Sequence, residues 1–289
     1  MANKIIISIF ILLLPLNNCL ADNIKYILLL SGASRPYLAF AEGFSKTEPK
    51  SKFYFWPEEE INFLRALKKW PQAEIVAVGT RALERLKALK LKKNRLFYAL
   101  VLSPPASDFG PRLCGLYLRL PPRKTFPLLK DFFEKRWPGP QEGYVLLVPY
   151  LSPENQKFIA EMKKEAPKWD FKINDFVPSG INGLKNQILN LNFDLLYAIP
   201  DPLFASEEAI KMIIKTALLA GKGVCGYNRF FYEQGALISF VFDYYQIGLE
   251  APKEFEHGCF NKPAPFEVLI NERVLNFLHK KFKMQKNKK

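Results

Sequence analysis

Two short loops set hydroxyls beside a glycine where an apolar strand gives way to a helix: "SGAS" at Ser31–Ser34 and "GT" at Gly79–Thr80. Hydroxyls and free backbone N–H groups at a helix N-terminus suit an anion, either a carboxylate or a phosphate. Serine and threonine are also common helix caps, so both readings stand. Two carboxylates follow apolar strands, Asp201 after "LLYAI" and Asp243 after "LISFVF". A carboxylate at a strand end can accept hydrogen bonds from an ammonium group. Asp243 could instead cap the next helix. For Asp201, inside "YAIPDPLFAS", capping is less natural because Ser206 already serves the following helix. Tyr150, Phe204, Phe230 and Phe231 lie in or beside the same class of loop, where rings either sandwich a ligand or join the core.

Other chemistries lack their motifs. There is no G-x-G-x-x-G after the first strand, no G-x-x-x-x-G-K-[ST] and no G-x-S-x-G. With no C-x-x-C, neither a zinc site nor a thioredoxin-like centre is expected. The only histidines, His257 and His279, read as surface residues. The expectation is therefore no catalytic residues, no metal and no cofactor. Cys225, in "GVCGY", reads as a packed thiol, whereas Cys114 and Cys259 could pair in an oxidising compartment.

The elements that must position these loops alternate. "IKYILLL" is a continuous apolar run, as expected for a strand buried on both faces. "RPYLAFAEGFSK" reads as a helix, "KFYFW" as a strand, and "PEEEINFLRALKKW" as a helix with Pro57 in its first turn. "EIVAVG", "TRALERLKAL" and "LFYALVL" continue the pattern. Residues 103–140 carry eight of the 22 prolines and read as a crossing between two lobes. The alternation then restarts at "YVLLVP" and runs through "FDLLYAI", "SEEAIKMIIKTALLAG", "GVCGY", "GALISFVF" and "FEVLI" to a last helix from Glu272 to about Met284. Two β/α series separated by such a crossing imply an α/β chain of two doubly wound parallel-sheet lobes, with ligands outside the carboxyl ends of the strands.

The first residues read as an export signal. Lys4 precedes the apolar run Ile5–Leu16, and Ala21 stands before Asp22. A retained anchor and a lipoprotein attached through Cys19 are the alternatives, the second disfavoured by Asn18 before it. Cleavage after residue 21 removes one charge, Lys4, taking the net charge from +14 to +13. The basic residues are spread along the chain apart from the terminal "HKKFKMQKNKK". This balance reads as solubility with attraction to an anionic membrane surface, and no nucleic-acid partner is expected.

The ordered set "RPYLAFAEGF", "AVGTRAL", "LSPP", "GLYLRLPP", "PDPLFASEEAI", "GYNRFFYEQGALISFVFDYYQIG" and "EVLINERV" resembles a family of ABC-transporter substrate-binding proteins. That family includes tryptophan- and tyrosine-binding members with the type I periplasmic binding-protein fold. The resemblance implies two Rossmann-like lobes joined by a three-strand hinge. Lobe 1 would span 22–117 and 232–262, and lobe 2 would span 118–231 and 263–289, after a signal peptide over 1–21. It also implies a site in which Thr80 and Gly79 hold a ligand carboxylate, helped by Ser31 or Ser34, with Ser103 in the "LSPP" loop. From lobe 2, Asp201 would meet an amine, with Tyr150 and Asn228 nearby. On that basis Asp201→Ala should weaken binding without lowering the melting temperature of the free protein. The implied role is a monomeric exported protein that delivers a small molecule, such as an amino acid, to an ABC permease. The rivals are a periplasmic sensor module acting on a receptor kinase and an enzyme on a doubly wound fold. Two departures stand out. The segment from Phe44 to Glu74 is short, which suggests a reduced helix or strand, and Arg35 at the cleft edge would favour an acidic ligand.

Overall fold

The first strand, β1 (Tyr26–Leu30), is buried along its whole length, as its unbroken apolar run predicts. Its two faces enter different cores. Tyr26, Leu28 and Leu30 pack with Phe40, Phe44 and Phe97, while Ile27 and Leu29 pack with Phe63, Ile75 and Tyr98. Helices must therefore cover the sheet on both sides. The computed structural model describes residues 23–91, 95–103, 113–137, 143–257 and 260–286. The expected signal segment, most of the "LSPP" loop and Cys259 lie outside them.

After β1 come α1 (Arg35–Thr47), β2 (Ser51–Phe55), α2 (Glu60–Lys69), β3 (Glu74–Val78), α3 (Thr80–Ala88), β4 (Leu96–Val101) and β5 (Leu113–Tyr117). The second series is α4 (Pro122–Arg136), β6 (Tyr144–Pro149), α5 (Gln156–Glu165), β7 (Phe171–Phe176), α6 (Gly180–Asn190), β8 (Leu195–Tyr197), α7 (Glu207–Leu219), β9 (Gly223–Gly226), α8 (Arg229–Glu233) and β10 (Ile238–Val241). The chain ends with α9 (Tyr244–Glu256), β11 (Asn261–Pro263), β12 (Glu267–Ile270) and α10 (Glu272–Lys286). The strands form two six-stranded sheets, ordered β11-β5-β4-β3-β1-β2 and β12-β10-β9-β8-β6-β7. Every pairing is parallel except β10 with β12.

The chain passes between the sheets three times: from β5 to α4, from β10 to α9, and from β11 to β12. The second passage falls later than the expected boundary at residue 232. β10 pairs with β9 and β12, and that pairing keeps residues 238–241 with the second sheet. Pro263, assigned in sequence to lobe 2, pairs with Tyr117 in the first sheet. β5 and β11 were not expected as strands, being short and set among prolines or beside charged residues.

Returning helix α9 docks on α1 at very short range. A Cβ added at Gly43 would lie 2.2 Å from the Tyr245 carbonyl oxygen, and one at Gly248 would lie 2.2 Å from that of Phe40. Only glycine permits this approach. Phe255 completes the contact, stacking on Phe97 at 4.2 Å between centroids.

Other local expectations fare unevenly. Ser206 caps α7, accepting from Ala209 N at 3.1 Å, and Gly221 follows the helix with φ +76°. Pro57 does not open α2; it follows a cis peptide bond in a turn, and the helix starts at Glu60. Both β2 and α2 are present between Phe44 and Glu74, so neither element is lost there.

Candidate functional site

The carboxyl ends of five strands from both sheets meet at one cavity of about 140 Å³. Leu102 follows β4, Leu118 follows β5, Ala198 follows β8, Tyr227 follows β9 and Phe242 follows β10. Two passages between the lobes line it directly, through Leu118–Leu120 and through Phe242 with Tyr244. Ligands bind at this edge of doubly wound sheets because the strands stop there and loops with free polar groups begin.

Most of the lining is apolar or aromatic, and among the described residues Arg119 is its one charged residue. Backbone bonds fix Arg119: Leu118 N donates to Val101 O and Arg119 N to Leu102 O, each at 2.8 Å. Its guanidinium lies over the Phe158 ring at 5.1 Å. Nη2 donates to Asn155 Oδ1 at 2.8 Å, and the buried Nε has no partner. Burial pulls the arginine pKa down, opposed by the negative charges of Glu154 and Asp201.

Asp201 stands behind this wall and is 9% exposed. Its Oδ1 accepts from Leu203 N at 2.9 Å and Leu151 N at 3.0 Å. Its Oδ2 accepts from Ser152 N at 3.0 Å and from Asn155 Nδ2 at 2.7 Å. Asn155 also donates to Pro200 O at 3.2 Å. The carboxylate therefore caps the short turn Pro202–Phe204 and ties it to the loop after β6. An incoming amine would find both oxygens already engaged with the chain's own N–H groups, which leaves Asp201 little accepting capacity for the expected amine contact.

Tyrosines complete the lining. Burial pushes the Tyr227 phenol up to about 12, with Asp201 and Tyr244 adding to the effect. Tyr244 is also raised, by burial first and by Tyr37 second. Both phenols stay neutral donors at ordinary pH. Tyr197 donates to Thr125 Oγ1 at 3.2 Å.

Tyr37 links the cavity wall to the first hydroxyl loop. Gly79 has φ +89°, and a Cβ there would meet Ser31 Oγ at 2.6 Å and the Tyr37 hydroxyl at 2.7 Å. Ser31 Oγ accepts from Ala82 N at 2.9 Å, satisfying one N–H of the first turn of α3. Ser31 thus caps a helix from a neighbouring strand. Thr80 is exposed at the start of α3, and Ser34 is exposed before α1 with no side-chain capping bond. Arg35 is exposed, away from the lining residues.

Of the residues singled out in sequence, Asn228 alone lines the cavity. Its Oδ1 caps α8, accepting from Phe231 N at 3.1 Å. Ser103 is half-buried beside lining residue Leu102. Tyr150 packs against the core, and its N–H donates to Phe176 O. Phe204 and Phe231 are buried core residues, with Phe230 packed on them. Asp243 caps α9, accepting from Gln246 N at 3.0 Å. Cys225 is a free buried thiol and Cys114 is disulfide-bonded; the proposed partner Cys259 lies outside the described residues. Among the described residues no group of three His, Cys, Asp or Glu side chains could hold a metal ion, and no helix is long and apolar enough to cross a membrane.

Sequence reasoning missed Arg119, Phe158, Phe240 and the two cavity phenols. The signal for Arg119 was present: it is the lone base in the apolar run "LCGLYLRLPP", between two proline-rich stretches.

No family model and no curated protein matches the chain. Solved structures do. A ligand-free, open substrate binding protein with adhesive properties from Clostridium difficile superposes with a TM-score of 0.70 at 18% identity, covering 88% of this chain and 95% of that one. An ABC domain in complex with L-Trp from Streptococcus pneumonia gives 0.59 at 14% identity, over 89% and 94% of the two chains. The TorS sensor domain–TorT complex, in the presence of TMAO, gives 0.51 at 14% identity over 85% and 92%. The chain thus has the two-lobed α/β fold of type I periplasmic binding proteins.

Proposed function

We propose that this chain is an exported solute-binding protein that captures a small organic ligand between its lobes and delivers it, unchanged, to an ABC permease. The observation that carries the reading is the cavity built from both sheets and from two of the passages between them. A ligand held there touches the elements that must bend when the lobes close, so binding and closure are coupled. The likeness to an L-Trp complex and to an open substrate binding protein supports capture of a small molecule. The apolar run after Lys4 supports a site of action outside the cytoplasm.

Asn228 contacts the ligand through its amide, and Ser31, Gly79 and Thr80 with Tyr37 form the polar margin of the first lobe. Asp201 acts as a positioning residue for the second. The likeness to the TorS–TorT complex favours one alternative, in which the liganded protein engages a receptor rather than a permease.

The test is a thermal-shift screen of the purified chain against amino acids, organic acids, amines and sugars. A ligand that binds only the native state raises the melting temperature. The reading expects a saturable shift for one chemical class, with the ligand recovered intact. No shift across the library, or recovery of a converted product, would sink it.

A further inference from the structure

We propose that the cleft selects an organic monocarboxylate with an apolar or aromatic body, and that Arg119 is the residue that reads its charge. This rests on the ligand-binding reading above and narrows it. Among the described residues Arg119 is the only charged one lining the cavity. It is also a cation without its own carboxylate. Its Nη2 meets the neutral carbonyl of Asn155, its plane lies over Phe158, and its buried Nε has no hydrogen-bond partner among the described residues. The neighbouring acids do not complete it: Asp201 is reached only through Asn155 and already accepts four N–H donors, and Glu154 is exposed. A half-buried cation so placed, with its Nε desolvated and unpartnered, gains more than an exposed one when an anion arrives. A carboxylate would take Nε and a terminal nitrogen together, the geometry for which a guanidinium is suited.

The rest of the lining sets the ligand's body and excludes other charges. Leu102, Leu118, Leu120, Phe240 and Phe242 supply apolar contact. The volume, about 140 Å³, is close to the roughly 150 Å³ that holds a benzene ring in an engineered cavity. The phenols of Tyr227 and Tyr244, held neutral by burial, can donate to a carboxylate. Among the described residues no carboxylate lines the cavity, so an ammonium would face Arg119 with no counter-charge from them. A zwitterionic amino acid is therefore disfavoured against the acid that lacks its amine.

Four compounds with one carbon frame separate the charges: 3-phenylpropanoate, phenylalanine, 3-phenylpropanamide and 3-phenylpropylamine. Calorimetric titration of the full chain is expected to rank the carboxylate tightest, ahead of the zwitterion and the amide, with the amine weakest. Arg119→Gln should weaken the carboxylate on the order of 30-fold or more while leaving the amide within about threefold. Arg119→Lys should restore part of the loss, and the melting temperature of each free variant checks that it is folded. Tighter binding of amine or zwitterion, or a carboxylate affinity unchanged in Arg119→Gln, overturns the assignment. If the four fail but the wider screen yields an uncharged or cationic ligand, the Arg119 proposal falls and the binding-protein reading survives. If nothing in the screen binds, both fall.

Discussion

The loop carrying Asp201 and the passage carrying Arg119 lie on two sides of one small network, joined by Asn155, and they differ in one respect. Asp201 accepts four donors, from Leu151, Ser152, Leu203 and Asn155. Arg119 has one donated bond, one ring contact and an unpartnered Nε. A buried charge satisfied by its own chain stabilises the fold; one left incomplete has capacity for something that arrives later. Sequence position suggested the opposite emphasis, because Asp201 sits in a rigid strand-end turn and Arg119 in a plain apolar run.

The sharpest way to break this comparison is Asp201→Ala. It strands four donors, two of them fully buried, and should cost about 3–5 kcal/mol of stability. For a chain of this size the free protein's melting temperature should fall on the order of 10 °C. An unchanged melting temperature with lost binding would restore Asp201 as a ligand contact, the outcome the resemblance implied. Arg119→Gln should behave in the opposite way in the free protein. Removing an incompletely paired, half-buried cation, while keeping a donor for Asn155, should leave stability within about 1 kcal/mol of wild type in urea titration. A large loss would make Arg119 a second scaffold residue.

The smallest effect concerns Tyr227, whose pKa rises to about 12 through burial first and Asp201 second. A tyrosine in the unfolded chain ionises near pH 10. The folded state holds its proton to higher pH, so stability contributed by the neutral phenol is complete below pH 10 and declines as pH rises towards 12. Tyr227→Phe should flatten that part of the alkaline stability profile in urea titrations at stepped pH. An identical slope would mean that the phenol is not held neutral by burial and by the charge of Asp201.

Much of the scaffold was legible because it is written locally. The unbroken apolar run of β1, the alternation of strands and helices, and the Ser206 and Asp243 caps each depend on neighbours a few residues away. The misplaced passage near residue 232 depended on which sheet β10 joins, a choice made by β9 and β12. The role of Asp201 was hidden for the same reason, since Leu151, Ser152 and Asn155 lie about fifty residues earlier in the chain. Ser31 likewise caps α3 from 51 residues away. Asn228 was named through the family resemblance and does line the cavity, whereas Arg119 was passed over because a base in an apolar hinge carries no motif of its own.

The docking of α9 on α1 has a consequence for how the molecule is made. The Thr47 hydroxyl donates to Leu249 O at 3.0 Å across 202 residues, and Gly43 and Gly248 bring the two helices together at that seam. At a ribosomal rate of about 5–20 residues per second, those 202 residues take roughly 10–40 s to appear. For that interval the apolar face of α1 waits uncovered while five of the six strands of the second sheet, β6 to β10, are synthesised. The first lobe to be started therefore cannot close until most of the second has been made, a birth order that keeps the nascent chain open to holding factors.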